Sequence, residues 1–267
     1  MTTILGIDAA WTAGEPSGVA LVQQSGTRWR CLASAASYAA FIDLADGRTP
    51  DWTRTGVGAV PDAEKLLDAA PRLSGEPTSL VTIDMPVSTT PILGRRAADR
   101  EVSRAFGAQW CSAHSPGPVR PGPLGAELSR QFSEAGYPVA TASTPPGTQH
   151  RLVEVYPHPA LLALLQRDRR VPYKVGKSSR YWKGTSLDER IARLLIEFGA
   201  IRRGLATHID DIAIPLPHAE AVKSLAALKP LEDALDALVC CWGGCKYLEG
   251  RAFPLGDETA AVWCPRA

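Results

Sequence analysis

The chain opens on an apolar run, Ile4 to Ile7, that ends abruptly in a charge at Asp8. A second run, GVALVQQ over residues 18–24, follows a loop containing Gly14, Pro16 and Ser17. Compact apolar runs bounded by turn residues predict strands, so the two form an antiparallel hairpin. Ser25-Gly26 supplies the next turn, and Trp29 to Ala35 extends the hairpin into a three-stranded meander.

The period then changes. In DAEKLLDAAPRL, Ala63, Leu66, Leu67 and Ala70 recur at helical spacing, and SLVTIDMPV behind Pro77 is again a β-branched strand. A helix between strands is the natural crossover to a parallel neighbour, which predicts a mixed sheet. Residues 86–150 read as an insertion, with a helix from about Arg95 to Phe106 and a Pro/Gly-rich segment, SPGPVRPGP, that excludes regular structure. Strand character returns from Leu152 to Tyr156, Pro159 opens the helix ALLALLQ, and Ser186 with Glu189 has the spacing of a capping box for the helix through IARLLIEFGAI. The last helix follows Pro230, where LEDALDALVCCWGGCKYL repeats apolar residues every three or four positions.

Length and composition agree with a packed core. The 267 residues suit a single domain over 1–267, with insertions at about 86–150 and 166–228. Hydrophobic residues make up 45% and charged residues 21%, ordinary proportions for a globular chain. No stretch approaches the roughly 18 apolar residues of a membrane span, and Ile4 to Ile7 is too short for a signal peptide. The expectation is a cytoplasmic protein with no membrane partner. The six cysteines lack the spacing of a secreted disulfide scaffold, and Cys241 and Cys245 read as small packed side chains on a helix. Cys111 and His114 have usable zinc spacing but no second pair.

Candidate chemistry lies in the carboxylates. Asp8 and Asp84 each end an apolar strand, where a lone ionised group must reach water, a cation or strong donors. The ends of neighbouring strands in an α/β sheet are also where ligand sites form. Asp233 and Asp236 lie three apart and share a face of the last helix, an arrangement of like charges that invites a cation. Glu154, in VEVYP, is a fourth strand-borne acid, suited to a metal shell or to the Tyr156-Pro157 turn. His158, between two prolines, reads as a structural turn residue ahead of a proton carrier.

GIDAAW with SGVALV, TIDMPVS, GRRAADREVSRAFG, VEVYPHPALL and LEDALDALVCCW, in this order from Ile4 to Pro265, resemble the domain-of-unknown-function family 429. That family is described as predicted nucleases of the ribonuclease H-like fold. The resemblance implies an α/β chain with a mixed, five-stranded-type central sheet and flanking helices. It implies acids on the first strand, the fourth strand and the final helix, matched here by Asp8, Asp84 and Asp236. Asp233 sits where the D-x-x-D pattern of Holliday-junction resolvases has a His or Asp, and Asp84 stands where those enzymes have Glu.

The resulting expectation is a metal-dependent nuclease. Asp8, Asp84 and Asp236 would hold Mg²⁺ or Mn²⁺, as one ion or as two ions about 4 Å apart, with Asp233 or Glu154 adjusting the shell and no organic cofactor. Net charge is only +1, so nucleic-acid binding would rest on local charge. Arg96, Arg100 and Arg104 recur every four residues as a basic stripe. Residues 166–183 carry seven Lys or Arg, among them Lys174, Lys177, Arg180 and Lys183, interleaved with Tyr173, Tyr181 and Trp182; basic plus aromatic suits a single-strand binding surface. The alternatives are a non-catalytic nucleic-acid or nucleotide binding protein on the same fold and, last, an actin-like ATPase or sugar kinase. Against the last stands the lack of a Gly-rich phosphate loop.

Overall fold

A computed structural model describes residues 1–53 and 56–266. Alternation along the first strands decides the architecture. In β1 (Thr3–Asp8), Ile4 faces one core while Leu5 and Ile7 face another, so the strand is apolar on both sides and reads as a continuous run. β2 (Gly18–Ser25) and β3 (Arg28–Ala35) pair with it in an antiparallel meander, Asp8 opposite Gly18. Helix α1 (Tyr38–Ala45), capped by Ser37, and α2 (Ala63–Ser74), capped by Asp62, cover the Leu5 face. β4 (Leu80–Ile83) then lies parallel to β1, Ile7 beside Ile83.

The expected insertion contains α3 (Ala97–Phe106) and α4 (Leu124–Glu134), separated by the Pro/Gly-rich segment. The chain returns through β5 (Leu152–Glu154), parallel to β4, and α5 (Pro157–Leu165). A single turn, α6 (Ser178–Tyr181), precedes α7 (Leu187–Ala206), which carries the predicted Ser186–Glu189 capping box. β6 (Ile209–Asp210), α8 (Lys229–Leu248), β7 (Ala252–Gly256) and β8 (Ala261–Pro265) complete the chain.

The outcome is a mixed α/β fold whose eight-stranded sheet has the order β6-β3-β2-β1-β4-β5-β8-β7. The five-stranded expectation falls short at both edges. Two-residue β6 joins β3 in parallel, and β8, parallel to β5, brings β7 as an antiparallel hairpin partner with Pro254 at its centre. α5, α7 and α8 bury the Ile4 face. All six cysteines are free and buried, Cys241 and Cys245 packed on α8 as expected. No helix among the described residues is long and apolar enough to cross a membrane.

Candidate functional site

β1, β4 and β5 run in the same direction side by side, so the acids at their C-terminal ends arrive at one edge of the sheet. The Asp84 amide donates to the Ile7 carbonyl at 2.9 Å, fixing Asp84 beside Asp8. Helix α8 brings its own acids to the same place because two glycines let it touch the sheet. A Cβ on Gly18, the partner of Asp8, would sit 2.0 Å from the Asp233 carbonyl oxygen, and one on Gly6 would sit 2.5 Å from that of Ala237. Any side chain there would lift the helix and carry Asp233 away from Asp8.

Between these elements lies a cavity of about 380 Å³, whose acidic lining is Asp8, Glu15, Asp84, Asp99, Glu154 and Asp233. Its other walls hold Lys174, Lys177, Lys229, Arg96, Arg120, His114 and His158, together with Trp11 and Tyr156. The acids differ sharply in how their charge is met. Glu154 is only 5% exposed and accepts two hydrogen bonds from Arg96, at 2.6 and 2.7 Å, plus one from the Val87 amide at 3.1 Å. Arg96 also grips Asp99 at 2.7 Å, and its side chain is 7% exposed. Glu154 therefore serves neither the turn at Tyr156 nor an open metal shell; it belongs to a closed Asp99–Arg96–Glu154 knot. Arg96 likewise leaves the expected basic stripe, because α3 begins at Ala97 and Arg96 caps it while turning inward. Arg100 and Arg104 remain exposed on that helix.

Asp236 is fully buried, with one oxygen accepting from the Tyr173 hydroxyl at 2.6 Å and the other from Lys174 Nζ at 2.5 Å. It does not line the cavity. Burial pushes its carboxyl up to about 7 against the pull of Lys174. Burial opposes the charge on Lys174, yet Asp236, Tyr173 and Glu232 hold that ammonium group well above its ordinary pKa. Lys174 is thus part of the carboxylate cluster as well as of the basic segment. Glu232 accepts from the Val175 amide at 2.5 Å and from Lys229 at 3.1 Å, and lies 3.6 Å from Lys174.

Asp233 pairs through one oxygen with Lys229, one turn earlier on α8, while its Oδ2 is buried without a partner. Burial drives its pKa well up, Lys229 opposes this, and Asp8 adds to it. Lys229 escaped the sequence reading, although its spacing of three and four residues from Glu232 and Asp233 was a usable signal. Asp8 and Asp84 are the exceptions: neither carboxylate has a hydrogen bond or an ion pair among the described residues. Burial, and then the neighbouring charge of Asp8, raise Asp84 well above the carboxylate range, with Lys174 only partly offsetting them.

His158 is 4% exposed in the first turn of α5 and lines the cavity, so it is more than a turn residue. Burial and the charge of Arg170 lower its pKa well below 6.5, keeping the ring neutral. Arg180 and Lys183 are exposed beyond this wall. Cys111 is buried, and His114 is exposed at the cavity. Among the described residues no group of three or more His, Cys, Asp or Glu side chains converges as a preformed metal cage.

Fold and cavity together define an α/β protein with a mixed-charge pocket at the ends of parallel strands. The chain belongs to the DUF429 family of proteins of unknown function, whose model matches residues 6–260. No curated protein and no solved structure matches it.

Proposed function

We propose that the protein is a metal-assisted phosphodiester hydrolase acting on nucleic acid, built on a ribonuclease H-like arrangement of strands. One observation carries this reading: Asp8 and Asp84 stand side by side on adjacent strand ends, facing one cavity, with no internal cation on either carboxylate. Hard carboxylate oxygens suit Mg²⁺ or Mn²⁺. The unpartnered Oδ2 of Asp233 is a third oxygen of the same kind.

The fit is to one ion rather than two. Asp236 and Glu154 have their oxygens committed to Lys174, Tyr173 and Arg96, so Asp8 and Asp84 would hold the metal, with Asp233 beside them. A bound ion supplies Lewis acidity and lowers the pKa of a coordinated water. Lys174 and Lys229 furnish the further positive charge that a second ion would otherwise bring. Asp236 keeps Lys174 Nζ protonated, and Asp233 and Glu232 do the same for Lys229, so both ammonium groups present fixed charge to phosphoryl oxygens. The Arg96 knot lines the cavity and ties Val87, after β4, to Glu154 at the end of β5.

A second reading has its own observation. Lys174 and Lys229 already neutralise Asp236 and Asp233, which a non-hydrolytic nucleotide-binding protein would also require. Two measurements separate the readings. Mg²⁺ or Mn²⁺ at 100 times its Kd should stabilise the wild type by about 2.7 kcal/mol, and this gain should vanish in Asp8→Asn and Asp84→Asn. From a panel of labelled single-stranded, duplex and branched substrates, at least one should be cleaved by the wild type and spared by both variants. Tight binding without cleavage selects the second reading, and equal cleavage by all three proteins rejects this site.

A further inference from the structure

The cavity lining holds six acids and five Lys or Arg side chains, yet not all of those cations are engaged by an acid. Arg120, Arg170, Lys177 and Arg180 form no ion pair among the described residues, although all belong to the segments that make the wall opposite Asp8 and Asp84. His114, Arg120 and Lys177 line the cavity directly. They crowd one another: burial and then Arg170 lower Lys177 to about 8, and Lys177, Arg170 and Arg120 all add to the burial that lowers His114. Glu232 favours the charge on Lys177, but is already engaged by Val175, Lys229 and Lys174. Unpaired cations held together in a recess are an anion site.

A second observation points the same way. Arg170 Nη2 lies in hydrogen-bond contact with His158 Nε2. A guanidinium can only donate, so Nε2 accepts and the neutral ring carries its proton on Nδ1. That Nδ1 is buried without a partner, in a side chain 4% exposed that lines the cavity; Arg170 Nε is buried without a partner too. Buried donors are normally matched, so these two lack an acceptor that a ligand would bring.

We infer that the His114–Arg120–Lys177 wall, with Arg170 and His158 behind it, is a phosphate subsite, and that the substrate carries a terminal phosphate monoester besides its scissile bond. This rests on the reading of Asp8 and Asp84 as a phosphodiester-cleaving centre. A cavity of about 380 Å³ is of small-ligand size and takes a strand end or a short oligonucleotide, not a continuous duplex. Trp11, packed edge-on to His114 at 6.3 Å, and Tyr156 offer aromatic surface for a base between the two phosphate positions.

The first test needs no turnover. Inorganic phosphate is titrated into the metal-free protein by calorimetry, with wild type compared with Arg120→Gln and Lys177→Gln. Both side chains reach solvent, so the variants should fold, as circular dichroism would verify. Saturable binding that each variant weakens by about tenfold or more supports the subsite; no binding, or equal affinity in all three, overturns it. The second test compares 5′-phosphorylated, 3′-phosphorylated and unphosphorylated dinucleotides with Mn²⁺. One phosphorylated form should show a kcat/KM about tenfold or more higher, and the preference should collapse in the Arg120→Gln/Lys177→Gln double variant. Equal rates in the wild type, or phosphate binding without preference between dinucleotides, mark a site for free anion and overturn the substrate assignment. If no dinucleotide is cleaved while phosphate binds and the variants lose it, the hydrolase reading fails and the phosphate subsite stands.

Discussion

Two carboxylate groupings sit at the same edge of the same sheet and solve the same problem differently. Glu154, at the end of β5, is met from within the chain by the planar fork of Arg96, which also reaches Asp99 and the Val87 carbonyl. Asp8 and Asp84, at the ends of β1 and β4, are left without an internal cation. The first arrangement is complete and therefore structural; the second has no ion-pair partner of its own among the described residues, and Lys174 offsets it only in part. Position at a strand end alone does not distinguish a ligand site from a buttress. The presence of an arginine does.

The largest expected effect breaks the closed side. Arg96→Met should destabilise the protein by about 3–5 kcal/mol, because two buried acids lose their partner, and adding Glu154→Gln with Asp99→Asn should recover part of the loss; urea unfolding reads both. Next comes the helix contact that brings Asp233 to Asp8. Gly18→Ala should cost about 1–3 kcal/mol in the same assay and should weaken Mn²⁺ binding. On the open side the sign reverses: Asp84→Asn should stabilise the metal-free protein by roughly 0.5–2 kcal/mol, since a neutral amide removes a titratable carboxyl whose charged form is disfavoured by burial and then by Asp8. A destabilised Asp84→Asn would show that a partner for Asp84 exists.

The smallest effect is a pH dependence. The half-buried Lys177 titrates at about 8, below its ordinary 10.5. Its charged form is disfavoured by folding, so that cost is present below about pH 8 and fades as the pH rises towards 10.5. Phosphate affinity should fall over the same rise, and Lys177→Gln should flatten the profile.

Sequence pattern made the open side legible and hid the closed one. An apolar strand ending in Asp is visible one residue at a time, so Asp8 and Asp84 could be singled out. Arg96 could not, since its spacing to Arg100 and Arg104 matches a helical stripe, whereas the helix starts one residue later and the partner, Glu154, is 58 residues away. In the sequence Lys174 belongs to a basic surface, because nothing local announces Asp236, 62 residues on. α1 leaves no signal because YAAFIDLA is too short and too evenly apolar to show a period, and the prolines before α4 obscure it. The two outer strands are hidden for a related reason: β6 is two residues long, and β7 carries a proline that argues against a strand unless it lies at an edge.

Those same margins govern how copies of the chain can meet. An unpaired row of amides and carbonyls is the template on which sheets grow from one molecule to the next. Here one rim ends after two residues, flanked by the Arg28–Asp210 and Arg30–Asp211 pairs, and the other is interrupted by Pro254, which has no amide hydrogen to offer. Both features weigh against strand addition from a second molecule at these positions.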